Sequence, residues 1–391
     1  HISTTTQMSS HPEFLLRIRN ASQVIAITTS KQKHKIGQDM NKIDIIENGT
    51  IIVDKNGIIV DVGKDSELSA KYSNAQFKVD LDATGKSVVP GFVDGHTHPV
   101  WAGDRVHEFA MKLAGATYMD IHKMGGGIGF TVEHTRNASE DTLLGLLLPR
   151  LDRMLKFGTT TTEAKSGYGL NAETEIKMLK VLHTAQHHHP LEIVSTYLGA
   201  HSVPKGSTAD AATEDIITHQ IPEIIKLKEQ GVISPKNIDV FCEKGVFEVE
   251  NSRKILQKGK DCGLLINFHG DELNPMGSGC LGGSLEAAAI SHLEKVDDEG
   301  IKSMAQKPTV AVLLPTTAYI LRLEYPPARK LIDGGVPVAL GSDFNPNAHC
   351  FSMPFVMHLA CVNMRLTMNE ALIAATLNSA ASLELSATHG S

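Results

Sequence analysis

The chain has few cysteines, and they are arranged in a way that excludes a disulfide scaffold. Five occur in 391 residues (Cys242, Cys262, Cys280, Cys350 and Cys361), an odd number with no Cys-x-x-Cys pair. That usage predicts reduced thiols and a cytoplasmic protein, so the sequons at Asn20 and Asn137 carry little weight. No apolar run approaches the roughly 20 residues needed to cross a bilayer, and the N-terminus lacks the layout of a secretion signal. A membrane partner is therefore not expected. No basic cluster stands out and the net charge is −7, which argues against nucleic acid as a partner.

What is present suits one large barrel or two ordinary domains. Residues 1–7, HISTTTQ, precede Met8 and read as a vector remnant. From about residue 15 to 86 the texture is short and β-like: Val24–Thr28, Gly49–Asp54 and Gly57–Val62, with Asp54-Lys55-Asn56-Gly57 as a turn signal. Residues 1–87 are thus expected to form a small β domain.

From Val88 onward, eight apolar or strand-like runs alternate with helical stretches, and each run leads to a polar residue. The first leads to His96 and His98, and Gly158–Glu163 to Lys165 and Tyr168. Glu192–Gly199 leads to His201, Ile238–Cys242 to Glu243, and Leu264–Phe268 to His269 and Glu272. Ala288–Ser291 leads to His292, Val310–Leu314 to Thr316, and Val336–Gly341 to Ser342 and Asp343. Asn171 before Ile176, Leu179 and Leu182 reads as a capped amphipathic helix. Leu143–Leu155 reads as another helix, with a break or kink expected at Pro149. Eight alternations argue for an α/β fold, a (β/α)8 barrel over residues 88–391, with its chemistry on the loops after the strands.

His-x-His at a strand end can aim two imidazoles at one point, and neutral imidazole is a common ligand for divalent metals. Pro90-Gly91-Phe92-Val93-Asp94-Gly95-His96-Thr97-His98 resembles the first-strand motif of the amidohydrolase superfamily. Trp101–Arg105, Leu113–Tyr118, Gly125–Ile128, Glu163–Leu170, Phe268–Glu272 and Gly341–Pro346 narrow the resemblance to the imidazolonepropionases of histidine degradation. The similarity runs from about residue 15 to the last residue.

The resemblance implies a TIM barrel of the amidohydrolase type with a small β-sandwich domain. It implies hydrolysis of 4-imidazolone-5-propanoate to N-formimidoyl-L-glutamate by a homodimer. It also implies one divalent metal per chain, Zn or Fe, held by His96, His98, His269 and Asp343. A second metal would need a bridging group; Glu243 and Lys165 are instead expected as a neighbouring or ion-paired residue and a structural partner. Glu272 is the expected general base, beside a metal ligand rather than a solvated loop carboxylate, with Asp343 able to share the proton. His292 is expected to orient or stabilise the attacked carbonyl, its alternative being a hydrogen-bonded core histidine.

Arg105 matches the arginine that takes the substrate carboxylate in a bidentate fork. Tyr168, His201, Glu272 and Asn345 match further substrate contacts. The sequence departs from many bacterial members at Asn347 and Ala348, where a glycine and a hydroxyl residue are usual, suggesting a loop of the eukaryote-like type. Members also continue into strands that complete the small sheet, so this β segment is expected to be missing after Ser391. His187–His189 reads as an exposed helix end, and Gly125–Ile128 as a place where backbone approaches substrate rather than a phosphate loop. The competing readings are another amidohydrolase, such as a heterocycle deaminase, and a binding protein that keeps the fold without turnover.

Overall fold

A computed structural model describes residues 13–28, 30, 32–115 and 127–391. Residues 1–7, read above as a vector remnant, and Ala116–Tyr118, Gly125 and Gly126 of the quoted motifs lie outside them. The chain divides into two units. One holds the described residues up to 30 with 43–90, and the other those of 32–42 and 91–390.

The first unit is a five-stranded sheet. β1 (Glu13–Ala26) pairs antiparallel with β2 (Asp44–Val53), which pairs antiparallel with β3 (Ile59–Lys64). β4 (Gln76–Asp82) and β5 (Ser87–Val88) both run parallel to β1. The β2–β3 turn falls at the expected Asp54–Gly57: the Asp54 carboxylate accepts from the backbone N–H groups of Asn56 and Ile58, both at 2.9 Å. Gly57 has φ 82°, a conformation glycine adopts without steric cost. β1 begins well before the expected Val24, and β4 was not anticipated. β4 alternates Phe77, Val79 and Leu81 with Lys78, Asp80 and Asp82, a strand period. Its acids pair across to Arg17 and Arg19 of β1.

The second unit is the barrel. Eight parallel strands follow in chain order: β6 (Phe92–Asp94), β7 (Thr159–Lys165), β8 (Glu192–Ala200), β9 (Asn237–Cys242), β10 (Leu265–Gly270), β11 (Ala289–His292), β12 (Val310–Leu313) and β13 (Val338–Leu340). They match the eight runs: strands buried on both faces are rich in apolar residues, and the buried charges Glu163, Lys165 and Asp239 on β7 and β9 pair with one another. The first and last strands meet where the Gly95 N–H donates to the Leu340 carbonyl at 3.3 Å and Thr97 bridges Phe344. Residues 32–42 belong to this unit through Asn378, whose amide brackets the Lys35 backbone at 2.8 and 2.9 Å.

Asn171 caps the helix Ala172–His188 as expected, accepting from the Thr174 N–H at 2.8 Å. His187 and His188 are exposed at its end. The break expected at Pro149 does not occur, since Glu140–Lys156 is one helix. The carbonyl that loses its donor belongs to exposed Gly145, where solvent can take the place of the missing N–H. No helix among the described residues is long and apolar enough to cross a membrane.

Candidate metal centre and active site

β6 runs straight into His96 and His98, and β10 carries His269 at its C-terminal end, so three imidazoles meet at the barrel mouth. The Nε2 atoms of His96 and His98 stand 3.2 Å apart, as do those of His98 and His269. Asp343, after β13, brings its Oδ1 to 3.4 Å from His96 Nε2 and 3.5 Å from His98 Nε2. That oxygen is buried without a hydrogen-bond donor among the described residues. Asp343 also sits at φ 48°, a left-handed strain tolerated where a functional side chain must be aimed.

Burial holds His96 and His98 well below the usual imidazole pKa, and it lowers His269 as well. Neutral ring nitrogens and a bare carboxylate oxygen crowded together repel one another unless a cation lies between them. Ligands about 2.0–2.1 Å from one ion stand roughly 3–3.4 Å apart, close to the 3.2–3.5 Å that separate His98 from His96, His269 and Asp343. The donor set therefore fits a divalent metal.

The ligands are held from behind. His269 Nδ1 donates to Asp239 Oδ1 at 2.9 Å, which leaves the Nε2 lone pair facing the site. Asp239 in turn meets the Lys165 ammonium at 2.8 Å, and Lys165 donates to Glu163 at 2.7 Å. All three are fully buried or nearly so. Despite burial, His269 and Lys165 hold Asp239 down to about 2, and Asp239 and Glu163 keep Lys165 charged. Lys165 is thus held in ion pairs with Asp239 and Glu163. His96 Nδ1 lies 2.8 Å from Ser291 Oγ, and Asp94 accepts from the Ser342 N–H at 2.8 Å beside the Asp343 turn.

Asp239, Glu163, Asp94 and Ser291 escaped sequence reasoning as functional residues. The available signal was an acid at alternate positions inside a run otherwise fit for burial. Asp239→Asn should lower metal affinity by about 10–100-fold with the fold intact, measured by competition with a chelator. Unchanged affinity would remove Asp239 from this role.

Beside the ligands, Glu272 is buried, its Oε2 3.5 Å from His292 Nε2. Burial pushes Glu272 up to about 8 against the pull of His292. The paired acids Glu272 and Glu294 overcome the effect of burial on His292 and raise it to about 10. His201 stacks on His98 with centroids 4.8 Å apart, and burial drives its pKa down to about 3. Its Nδ1 donates to the Gly167 carbonyl at 2.9 Å, so its Nε2 is an acceptor. Tyr168 lies 5.2 Å from His201 and 6.0 Å from His98, ring to ring.

Four residues singled out in the sequence have other engagements. Arg105 is buried and forks onto Glu108 at 2.9 and 2.6 Å, and Glu108 also accepts from the Gly127 N–H at 2.8 Å. Asn345 shapes its own loop, accepting from the Asn347 and Ala348 N–H groups and donating to the Asp343 carbonyl. Asn347 is reached by the Lys112 ammonium. Glu243 accepts from the N–H groups of Leu273 and Asn274, at 3.0 and 3.3 Å, and so fastens the loop that carries Glu272.

No protein-family model matches the chain. It is 65% identical over 348 residues to a probable imidazolonepropionase of Dictyostelium discoideum, covering 89% of this chain and 82% of the relative. The human probable imidazolonepropionase is 55% identical over 376 residues, covering 96% and 88%. Among solved structures, a triazine hydrolase variant matches with TM-score 0.71 at 16% identity, covering 95% and 82%. A zinc-bound adenosine deaminase of Xanthomonas campestris gives 0.66 at 15%, covering 97% and 82%. Those two likenesses speak for the barrel fold alone. The identity to the curated relatives spans nearly the whole sequence and decides the matter: the chain belongs to the imidazolonepropionase family of hydrolases.

Proposed function

We propose that the chain hydrolyses the ring amide of 4-imidazolone-5-propanoate to N-formimidoyl-L-glutamate, with one Zn or Fe per chain. The observation that carries the reading is the gathering of His96, His269 and Asp343 within 3.5 Å of His98 Nε2, with the Glu272 carboxyl nearby. Bound there, a divalent cation would lower the pKa of water and polarise the ring carbonyl. Glu272 takes the proton of the attacking water and returns it to the ring nitrogen as the amide C–N bond breaks. The carbonyl carbon becomes the new carboxylate, and the nitrogen leaves as part of the formimidoyl group. His292 offers Nε2–H to the carbonyl oxygen as charge builds on it. His201 accepts from a ring N–H, and Tyr168 and Asn345 border the ring and tail. The five unpaired cysteines support a reducing compartment, the cytoplasm.

Arg105 takes the propionate tail, with Glu108 holding its guanidinium in place through Nε and Nη2. Arg105→Ala should raise KM by about 10–100-fold and change kcat little, since a charge-assisted contact is worth roughly 1.5–3 kcal/mol. An unchanged KM would mean that the tail binds elsewhere. The whole reading is tested by incubating the metal-loaded protein with imidazolone propionate and, separately, with guanine. Formimidoyl-glutamate from the first and no ammonia from the second is expected. The reverse result would make the chain a deaminase.

A further inference from the structure

β11 ends in a backbone turn that is costly to form. His292 has φ 79° and Leu293 φ 68°, two consecutive left-handed residues, neither of them glycine. Each such conformation costs on the order of 1–3 kcal/mol and persists only where the surroundings enforce it. Here they do. Leu293 is fully buried and its N–H donates to the Gly270 carbonyl at 3.0 Å, while the Lys295 N–H donates to the Asp271 carbonyl at 2.7 Å. The turn folds the chain back so that Glu294 comes under the ring of His292. The Glu294 side chain is wholly buried, with its Oε1 3.6 Å from His292 Nδ1. Neither of its carboxylate oxygens has a hydrogen-bond donor among the described residues, and His292 Nδ1 is likewise without an acceptor. On the other edge of the same ring, Nε2 lies 3.5 Å from Glu272 Oε2.

A buried carboxylate that no backbone N–H or cationic side chain satisfies is expensive to keep. The imidazole is the one group this carboxylate faces at ion-pair distance among the described residues. We propose that Glu294 is a positioning residue for His292: it holds the Nδ1 proton, fixes the ring between two carboxylates, and so aims Nε2–H into the site. The carboxylate–imidazole pair is looser than the one Asp239 makes with His269, 3.6 Å against 2.9 Å, and is directed at the reacting group instead of the metal. With Nδ1 anchored, the ring cannot flip and present a carbon to the substrate. This inference rests on the role given to His292 above.

The test is a double-mutant cycle in the metal-loaded enzyme, with metal content measured for every variant. His292→Ala should lower kcat by about 10²–10³-fold, the usual effect of removing one preorganised donor. Glu294→Leu should lower kcat by about 10–100-fold through misplacement of the ring, with KM changed less than threefold. Glu294→Gln keeps an acceptor of the same length and should recover at least a third of wild-type kcat. Glu294→Leu added to His292→Ala should cost nothing further, because the group it positions is gone. If Glu294→Leu is as harmful in the His292→Ala background as in wild type, Glu294 serves only the fold and the inference fails. If His292→Ala itself retains wild-type kcat, the role of His292 in the reaction falls instead.

Discussion

Replacing His269 by alanine is expected to remove bound metal and activity together. His98 Nε2 would keep its neighbours His96 and Asp343 but lose the nitrogen 3.2 Å away that closes the set. Loss of even a supporting partner costs about 10–100-fold in metal affinity, and loss of a direct ligand must exceed that. The protein should still fold, because the Asp239 carboxylate keeps the His269 backbone N–H, at 3.1 Å, and the Lys165 ammonium. Elemental analysis should give about one metal per wild-type chain and a small fraction of that in the variant. Turnover should fall by more than about 10³-fold, since water at neutral pH is then no longer activated. His96→Ala and His98→Ala should behave alike. Two tightly held metals per wild-type chain, or full activity in the stripped protein, would end the one-metal reading.

How much of this was legible in the sequence follows from where the physics is local. The barrel strands were visible because burial on both faces writes itself as short runs such as Ile238–Cys242 and Val310–Leu314. His96 and His98 were visible because a two-residue spacing on a strand end is itself geometry. Glu272 lies three residues beyond His269, just past the end of the strand that carries it, and so the two could be placed together. The supports were not legible. Asp239 matters because β9 lies beside β10: Phe241 stands opposite His269, and the Asp239 carboxylate reaches that histidine from two residues earlier, a pairing that no linear spacing records. Glu294 depends on two left-handed residues that sequence patterns do not announce in the absence of glycine. Arg105 could be matched to a role, and the three-residue spacing to Glu108 is compatible with the fork the two side chains make. β4 has a regular alternation, and its outward acids find their partners only when Arg17 and Arg19 of β1 are set opposite.

Glu272→Gln is expected to leave the metal in place and reduce kcat by roughly 10²–10⁴-fold, the contribution of a positioned general acid–base group. The loop around Glu272 is clamped on both sides, so the loss will not come from disorder. Asp271 accepts from the N–H groups of Met276 at 2.7 Å and Ser278 at 3.2 Å, and Glu243 holds Leu273 and Asn274. Glutamine keeps the volume and remains near His292, but it cannot accept and return a proton. KM should move much less than kcat, because proton transfer belongs to the transition state. The pH profile supplies a second readout. A base works in its ionised form, and burial raises Glu272 to about 8 before any cation acts on it. A bound cation favours the carboxylate, so the wild-type rate should climb with pH through a range between the ordinary carboxylate value and about 8. The glutamine variant should lose that climb and show a flat residual rate over the same interval. A variant that sheds its metal would place Glu272 among the ligands. One that keeps wild-type kcat would pass the proton to Asp343, and Asp343→Asn with metal still bound would then show the loss.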